Sequence, residues 1–250
     1  MRILVTGSAG GIGFAVAEKL AAAGHQLYLA DINIDQVQLQ AAKLQHAGWQ
    51  AQALQLDLTN QLSIEQLIAT TGPLDVLINN AGIQHVARLE QFPSDKWQQL
   101  LQVMLTGPAM LSKAVLPAMR QQGFGRIINI GSIHALVASP FKSAYVAAKH
   151  GLLGFSKVVA LENADIDFTI NTICPAYVRT PLVDAQIDAQ CREHNLTPEQ
   201  VIHQIMLAPM PQKAFIGVDE IADTAAFLLT PAARHITAQT LVLDGGWTAR

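Results

Sequence analysis

Short apolar runs alternate along the chain with longer segments in which apolar residues recur at helical spacing. The runs that predict β-strands cover residues 2–6, 27–30, 52–56, 76–78, 127–130, 168–173 and 240–243. Helical spacing follows the first run, and it also predicts helices over 94–119, from Ser143 onward, and over 219–229. Strands that alternate with helices in this way predict an α/β fold, with a parallel, doubly wound sheet that carries helices on both faces.

Two of the predicted helices have unusual features. The helix over 94–119 is predicted to be interrupted at Gly107 and Pro108, because both residues disfavour a helix interior. The helix that begins near Ser143 is apolar on more than one face, from Val146 to Leu161. Such a wide apolar stripe is typical of a helix that is covered on two sides, within one chain or by a second copy.

Composition restricts the class of protein. The chain has 250 residues, of which 50% are hydrophobic and 14% charged, so we expect one globular domain over residues 1–250. A net charge of −3 without a basic cluster argues against a nucleic-acid binder. The two cysteines, Cys174 and Cys191, are too few for a disulfide framework. With a strand from Arg2 and no apolar run of bilayer length, the sequence predicts a cytoplasmic protein without a membrane partner.

A glycine-rich turn follows the first predicted strand. Gly7, Gly11, Ile12 and Gly13 lie between this strand and the first helix. Free backbone amides at a helix N-terminus form a pyrophosphate site, in which the glycines permit a tight turn and close approach of the ligand. A merely flexible loop is the alternative, and the position directly after the first strand argues against it.

An acidic residue ends the second predicted strand. Asp31 can accept hydrogen bonds from the adenosine ribose and would repel a 2′-phosphate. No arginine or lysine accompanies it, so the sequence predicts NAD as the cofactor and not NADP. An exposed loop aspartate is the alternative.

Three residues carry the candidate chemistry. Tyr145 and Lys149 lie four residues apart on one face of a predicted helix, and Ser132 lies at the end of a predicted strand. A nearby ammonium favours the ionised form of a phenol, so Tyr145 is predicted to move a proton while Ser132 holds the reacting oxygen. Taken alone, a tyrosine four residues before a lysine on a helix is more often a surface pair.

Together with the segment Asn79-Asn80-Ala81-Gly82, these motifs resemble the short-chain dehydrogenase/reductase family along nearly the whole chain. The resemblance implies a Rossmann-type fold, and Ser132, Tyr145 and Lys149 as the catalytic residues. It implies cofactor contacts from the glycine-rich turn, Asp31, Tyr145 and Lys149. It adds cofactor contacts from Asp57, Leu58, Asn80, Gly82, Val178 and Thr180, although Asn80 could be structural only. No metal site is predicted.

The sequence departs from the family pattern at two positions. Met104 occupies the place of a family asparagine that belongs to a catalytic tetrad, and Ala176 occupies that of a common glycine. The backbone carbonyl that the family uses in a proton relay is still present at Met104, without the side-chain amide. A catalytically weakened NAD-binding protein is therefore one open alternative.

The resemblance narrows to family members that oxidise D-3-hydroxybutyrate to acetoacetate. It implies that Gln84, His134, Lys142 and Gln186 bind the substrate carboxylate, and that Trp247 limits the alkyl end of the pocket beside Ser132 and Tyr145. Each of these residues has an ordinary alternative, such as a solvated lysine or a core tryptophan. The family resemblance also implies a homotetramer. The mixed segment over 182–210 is predicted to form a lid. Another short-chain reductase, acting on an acyl thioester or a sugar, is a further alternative.

Overall fold

The computed structural model describes residues 1–249, without the side chains of residues 181, 182, 185, 189, 193 and 194. Its centre is a parallel sheet of seven strands in the order β3-β2-β1-β4-β5-β6-β7. The strands are β1 (Arg2–Thr6), β2 (Gln26–Asp31), β3 (Ala51–Gln55), β4 (Val76–Asn79), β5 (Phe124–Ile130), β6 (Asp167–Pro175) and β7 (Thr240–Leu243). The predicted doubly wound α/β fold is confirmed. The strand order reverses between β1 and β4, and ligands bind beside the carboxyl ends of the strands at such a point.

Helices cover both faces of the sheet. They are α1 (Gly11–Ala22), α2 (Ile34–His46), α3 (Gln61–Thr71), α4 (Ser94–Leu101), α5 (Gly107–Gln122), α6 (Ser143–Glu162), α7 (Pro181–His194), α8 (Pro198–Val201) and α9 (Val218–Leu228). Successive strand residues point to opposite faces, so Ile3 and Val5 pack against α1 and α9, while Leu4 packs on the α3, α5 and α6 side. Each fully buried aliphatic side chain contributes about 1.5–3 kcal/mol. These two cores hold the strand ends in fixed positions.

The predicted interruption at Gly107 and Pro108 is wrong. α4 and α5 form one continuous helix, and the irregularity is a π-helical turn at Gln102–Thr106, where the Gly107 amide donates to the Gln102 carbonyl five residues earlier. Pro108 lies in the first turn of α5 and has no amide to offer the Met104 carbonyl. A widened turn directly before the proline lets the helix continue, and single π turns of this kind often occur at functional sites.

The continuous helix over Ser94–Gln122 has 29 residues and a mean hydropathy of 1.2 over its most apolar part, which by length and composition alone would suffice to cross a membrane. Core helices of globular proteins pass the same test. Here α5 packs on β5 and α3, and α4 packs on α6.

One face of α6 is covered within the chain and a second is not. Leu152, Ser156 and Val159 are buried, whereas Val158 and Leu161 are 54% and 79% exposed. The sequence predicted cover on both sides, and within a single chain only one side has it.

The segment over 182–210 folds into most of α7, then α8 and a second π turn, Ile202–Met206. Val183, Ile187, Val201 and Met206 form a small hydrophobic cluster of their own, apart from the two cores beside the sheet. Leu207 and Met210, also in this segment, belong instead to the core on the α1 and α9 side of the sheet, which anchors the end of the segment.

Candidate active site

A cleft of about 560 Å³ opens at the carboxyl ends of the central strands. Most of the predicted site residues line it. They are Gly7, Gly11, Ile12, Asp31, Asn80, Gly82, Gln84, Ser132, His134, Lys142, Tyr145, Lys149, Val178, Thr180 and Gln186. Gly13, Asp57, Leu58 and Trp247 lie outside this lining.

The glycine-rich turn between β1 and α1 leaves no room for a side chain at Gly7 or Gly13. Gly7 has a positive φ of 65°, and a Cβ atom there would lie 2.6 Å from the Cα of Ala81. A Cβ at Gly13 would lie 2.3 Å from the Gly7 carbonyl oxygen, so Gly13 packs the helix onto the turn behind the cleft. The N-terminus of α1 thus faces the cleft with bare backbone, which fits the pyrophosphate of a dinucleotide.

Asn80 fixes this turn from the end of β4. Its side-chain amide donates to the Thr6 carbonyl at 3.0 Å and to the Gly7 carbonyl at 2.9 Å. The residue therefore holds the two central strand ends together, in addition to lining the cleft.

Asp31 ends β2 and borders the cleft, whereas Asp57 lies two residues after the end of β3 and outside the cleft lining. The Asp31 carboxylate accepts hydrogen bonds from the Ala9 amide at 3.1 Å and the Asn33 amide at 3.0 Å, and it borders the cleft. Asp57 accepts from the Thr59 amide at 2.8 Å. Leu58 is buried against Gly107, with its Cβ 2.9 Å from the point where a Cβ at that glycine would lie.

Ser132, Tyr145 and Lys149 come together at the end of β5. Ser132 caps a 3₁₀ turn, Ile133–Ala135, and accepts the His134 amide at 3.2 Å. Tyr145 and Lys149 lie one turn apart near the beginning of α6, with the lysine Nζ 5.7 Å from the centre of the tyrosine ring. Lys149 also donates to the Ile130 carbonyl at 2.7 Å.

The protonation of these groups follows from their burial. Desolvation lowers the pKa of the Lys149 ammonium to about 8. In the protein alone, desolvation raises the pKa of the Tyr145 phenol, and a hydrogen bond from Ser132 opposes that rise. The sequence predicts that a nearby ammonium favours the ionised phenol, and in the protein alone the effect of burial on the phenol pKa is larger.

Lys142 and His134 line the cleft beside the catalytic group, with the His134 ring centroid 6.0 Å from that of Tyr145. Lys142 is only 7% exposed, and within residues 1–249 its ammonium forms no salt bridge with any described side chain. Desolvation lowers its pKa. Desolvation, with the charges of Lys142 and His150, lowers the pKa of His134 to about 4, so its imidazole is neutral at pH 7.

Three further residues were predicted to contact substrate. Gln84 lines the cleft, and its side-chain oxygen accepts the His85 amide at 3.0 Å. Gln186 reaches the cleft from α7. Trp247 lies behind the lining, in edge contact with the His134 ring at 6.1 Å, and Asp244 holds its turn by accepting the Gly246 and Thr248 amides.

Tyr177 is a cleft residue that the sequence analysis missed. Its ring stacks on Trp247 with centroids 6.1 Å apart, and the Lys142 Nζ lies 5.6 Å from its centre. An aromatic residue directly before Val178 was the available signal, because Val178 was itself assigned to the cofactor.

Met104 occupies the π turn and is 1% exposed. It packs with Phe92, Leu100, Ala144 and Ala148 and lies outside the cleft lining. Its sulfur is 3.7 Å from the point where a Cβ at Gly82 would lie. The side chain therefore acts as a core residue under the wall of the cleft.

In a comparison with family models, residues 1–190 match the short chain dehydrogenase model. The glycine-rich turn, the strand order and the group of Ser132, Tyr145 and Lys149 agree with this match. The chain belongs to the short-chain dehydrogenase family. This short-chain dehydrogenase is 44% identical to Uncharacterized oxidoreductase YxjF of Bacillus subtilis, over 99% of this chain and 98% of that protein. It is 42% identical to D-beta-hydroxybutyrate dehydrogenase of Rhizobium meliloti, with the same shares covered.

Among solved structures, this short-chain dehydrogenase resembles an actinorhodin polyketide ketoreductase described with NADPH. The TM-score is 0.93 at 29% identity, over 100% of this chain and 97% of that one. The protein is thus an oxidoreductase that uses a nicotinamide cofactor on a small-molecule substrate.

Proposed function

We propose that this protein is an NAD-dependent 3-hydroxybutyrate dehydrogenase that interconverts D-3-hydroxybutyrate and acetoacetate. The observation that carries the proposal is the buried Lys142, whose ammonium has no anionic partner among the described residues and shares a cleft with Tyr145. The relative from Rhizobium meliloti named as a D-beta-hydroxybutyrate dehydrogenase supports the same substrate.

Burial of an unpaired ammonium costs several kcal/mol, so the protein gains by binding an anion beside it. A carboxylate at Lys142 removes that cost and gains a charge-assisted hydrogen bond. Gln84, His134 and Gln186 also line the cleft and can direct the carboxylate. The cleft therefore favours a short acid over a neutral alcohol.

The chemical step involves three side chains. Tyr145 takes the proton of the substrate hydroxyl, Ser132 holds the reacting oxygen, and the Lys149 ammonium favours the phenolate. When bound, the nicotinamide supplies the acceptor for the hydride from C3. In the reverse direction Tyr145 returns the proton to the carbonyl oxygen of acetoacetate.

The cofactor preference rests on Asp31. Its carboxylate already accepts two backbone amides and borders the cleft, so it can accept the ribose hydroxyls of NAD and repels the extra phosphate of NADP. No lysine or arginine lines the described cleft near Asp31 to offset that repulsion.

Other parts of the proposal rest on packing. Trp247 and Tyr177 limit the alkyl end of the substrate, and the segment over 182–210, which contributes Val183 and Gln186 to the cleft, serves as a lid that excludes water. The uncovered apolar residues Val158 and Leu161 of α6 support a homotetramer in which copies of this helix pack together. We place the enzyme in the cytoplasm.

The deciding experiment is a spectrophotometric assay of NADH formation with D-3-hydroxybutyrate and NAD. We expect turnover that is specific for the D enantiomer, is lower with NADP, and is abolished by Tyr145→Phe. Absence of NADH formation at millimolar D-3-hydroxybutyrate would reject the proposed substrate. L-3-hydroxybutyrate serves as the matched control, because it carries the same carboxylate.

A second candidate is a reductase of a larger keto substrate. The structural likeness to a polyketide ketoreductase favours it. A pocket for an acyl thioester needs no buried cation at its end, so this candidate predicts that replacing Lys142 leaves the reduction of an acetoacetyl thioester unchanged. Tight NADH binding without turnover of any short hydroxy acid or keto substrate would instead favour the weakened NAD-binding protein.

A further inference from the structure

The cleft connects to a second depression through a chain of polar side chains. The depression has a volume of about 310 Å³ and is lined by Arg88, Glu90, Phe141 and Ser143, among others, with Ser139 at its edge. Ser139 lies in the loop between β5 and α6, and its neighbours Ala138 and Pro140 are exposed. The Ser139 hydroxyl therefore lies between the catalytic cleft and the solvent-facing surface.

His134 joins Ser139 to the catalytic serine. Its Nε2 atom lies 2.8 Å from the Ser139 Oγ, and its Nδ1 atom lies 3.4 Å from the Ser132 Oγ. Ser132 in turn is hydrogen-bonded to the Tyr145 phenol. The 3.4 Å distance is long, as hydrogen bonds in an unliganded catalytic site often are.

We propose that Tyr145 loses its proton to solvent through Ser132, His134 and Ser139, so that Ser139 is the outer member of a proton relay. During oxidation, the substrate hydroxyl gives its proton to Tyr145. Tyr145 then donates to Ser132, Ser132 to His134 Nδ1, and His134 Nε2 to Ser139. One proton leaves at Ser139 into the second depression, and Tyr145 is again a phenolate. The His134 ring is left with its proton on Nδ1 and returns to the Nε2 tautomer by proton exchange with solvent before the next turnover. This inference rests on the proposed function, in which Tyr145 is the general base.

The protonation of His134 suits this task. Its imidazole is neutral at pH 7, because burial and the neighbouring Lys142 and His150 disfavour its cation. A neutral imidazole accepts a proton on one nitrogen as it releases one from the other, provided that the resting tautomer carries its proton on Nε2.

The departure from the family pattern at Met104 is a reason for a second proton route. Its thioether replaces a family amide at the π turn and lies in the core, outside the cleft. A second route for the proton would make catalysis independent of that position.

The test compares Ser139→Ala, Ser139→Thr and Ser143→Ala under single-turnover conditions. NADH absorbance reports hydride transfer, and a pH indicator dye reports proton release. We expect Ser139→Ala to slow proton release by about tenfold or more, with an unchanged KM for the acid. Added imidazole should restore the rate, and Ser139→Thr should retain it. Ser143 lines the same depression outside the relay, so Ser143→Ala should behave like the unchanged protein.

Two results would overturn the relay. One is proton release from Ser139→Ala at the original rate, or a loss confined to KM, which would mean that Ser139 only orients His134. The other requires no substrate: nitrogen NMR of the protein alone should find His134 protonated on Nε2, and protonation on Nδ1 would contradict the direction of the proton relay.

Failure of the proposed substrate is distinguishable from failure of the relay. A protein that fails to oxidise D-3-hydroxybutyrate but shows the Nε2 tautomer would contradict the proposed substrate alone. The kinetic comparison would then use whichever small keto substrate the protein reduces.

Discussion

The ammonium of Lys142 lies 5.6 Å from the centre of the Tyr177 ring, in a position where the aromatic face partly replaces the lost hydration of the cation. The same ring stacks on Trp247. The cation of the proposed carboxylate site therefore lies against a ring from the loop after β6, and Trp247 of the C-terminal turn supports that ring.

Replacing Lys142 by Met should weaken acid binding and stabilise the fold. We expect the KM for D-3-hydroxybutyrate to rise by about 10-fold to 100-fold, since hydrogen bonds to charged groups contribute about 1.5–3 kcal/mol. The melting temperature should rise, because the variant no longer buries an ammonium. Lys157→Met, at an exposed position of the same helix, is the control and should change neither quantity. Equal losses of acid and NAD affinity would contradict the carboxylate role.

Replacing Tyr177 should show whether the ring holds the lysine. Tyr177→Phe keeps the aromatic face and should retain the KM for the acid, whereas Tyr177→Leu should raise it by about threefold to tenfold, as expected for a cation–π contact of about 1 kcal/mol. Steady-state kinetics with saturating NAD measures this. If both variants behave alike, the contact between Lys142 and the ring contributes nothing.

Asp31→Ala should relax the cofactor preference. Without the carboxylate, the 2′-phosphate of NADP meets no repulsion, so the ratio of kcat/KM for NAD over NADP should fall by at least about tenfold. Asp35→Ala removes an exposed acid that lies outside the cleft lining and should leave the ratio unchanged. An unchanged ratio of kcat/KM for NAD over NADP in Asp31→Ala would contradict this assignment.

Met104→Asn should destabilise the protein without increasing its rate. The amide would replace a thioether packed among Phe92, Leu100, Ala144 and Ala148, and a buried amide without partners costs about 1–3 kcal/mol. Thermal unfolding should report this loss, while kcat should stay nearly constant. Met104→Leu, which keeps the core apolar, is the matched control. A clear rise in kcat for the asparagine variant alone would mean that this position limits turnover.

His134 should make stability depend on pH below neutrality. Its pKa is about 4 in the folded protein, against an ordinary value of 6.5, so between these values the unfolded chain binds a proton that the folded protein does not. Stability is thus lost as the pH falls, by about 2 kcal/mol at pH 5. Urea unfolding at pH 7 and pH 5 should show this loss in the unchanged protein.

The matched variants separate this effect from general acid sensitivity. His134→Gln should remove most of the loss between pH 7 and pH 5. His46→Gln, which replaces an exposed histidine, should preserve it. An identical loss in His134→Gln and in the unchanged protein would falsify the assignment.

Much of the fold could be read from the sequence because its signals are local. Apolar runs at strand length and glycines directly after β1 are features of a few neighbouring residues, and each element formed close to where the pattern indicated. The long helix shows the limit of that reasoning. Gly107 and Pro108 predicted a break, but a π turn at Gln102–Thr106 kept the helix continuous, since its packing against β5 and α6 outweighs local propensity.

The sequence alone determined the parallel sheet, the glycine-rich turn after β1 and the order in which Ser132, Tyr145 and Lys149 follow one another, because strand ends and helix spacing place these residues. Only the tertiary structure decided that Lys142 is buried, that Tyr177 lines the cleft, and that Trp247 lies behind it while Asp57 and Leu58 lie elsewhere. Those relations join segments that are far apart in the chain. Their distances depend on how whole layers pack against one another, which no local pattern specifies.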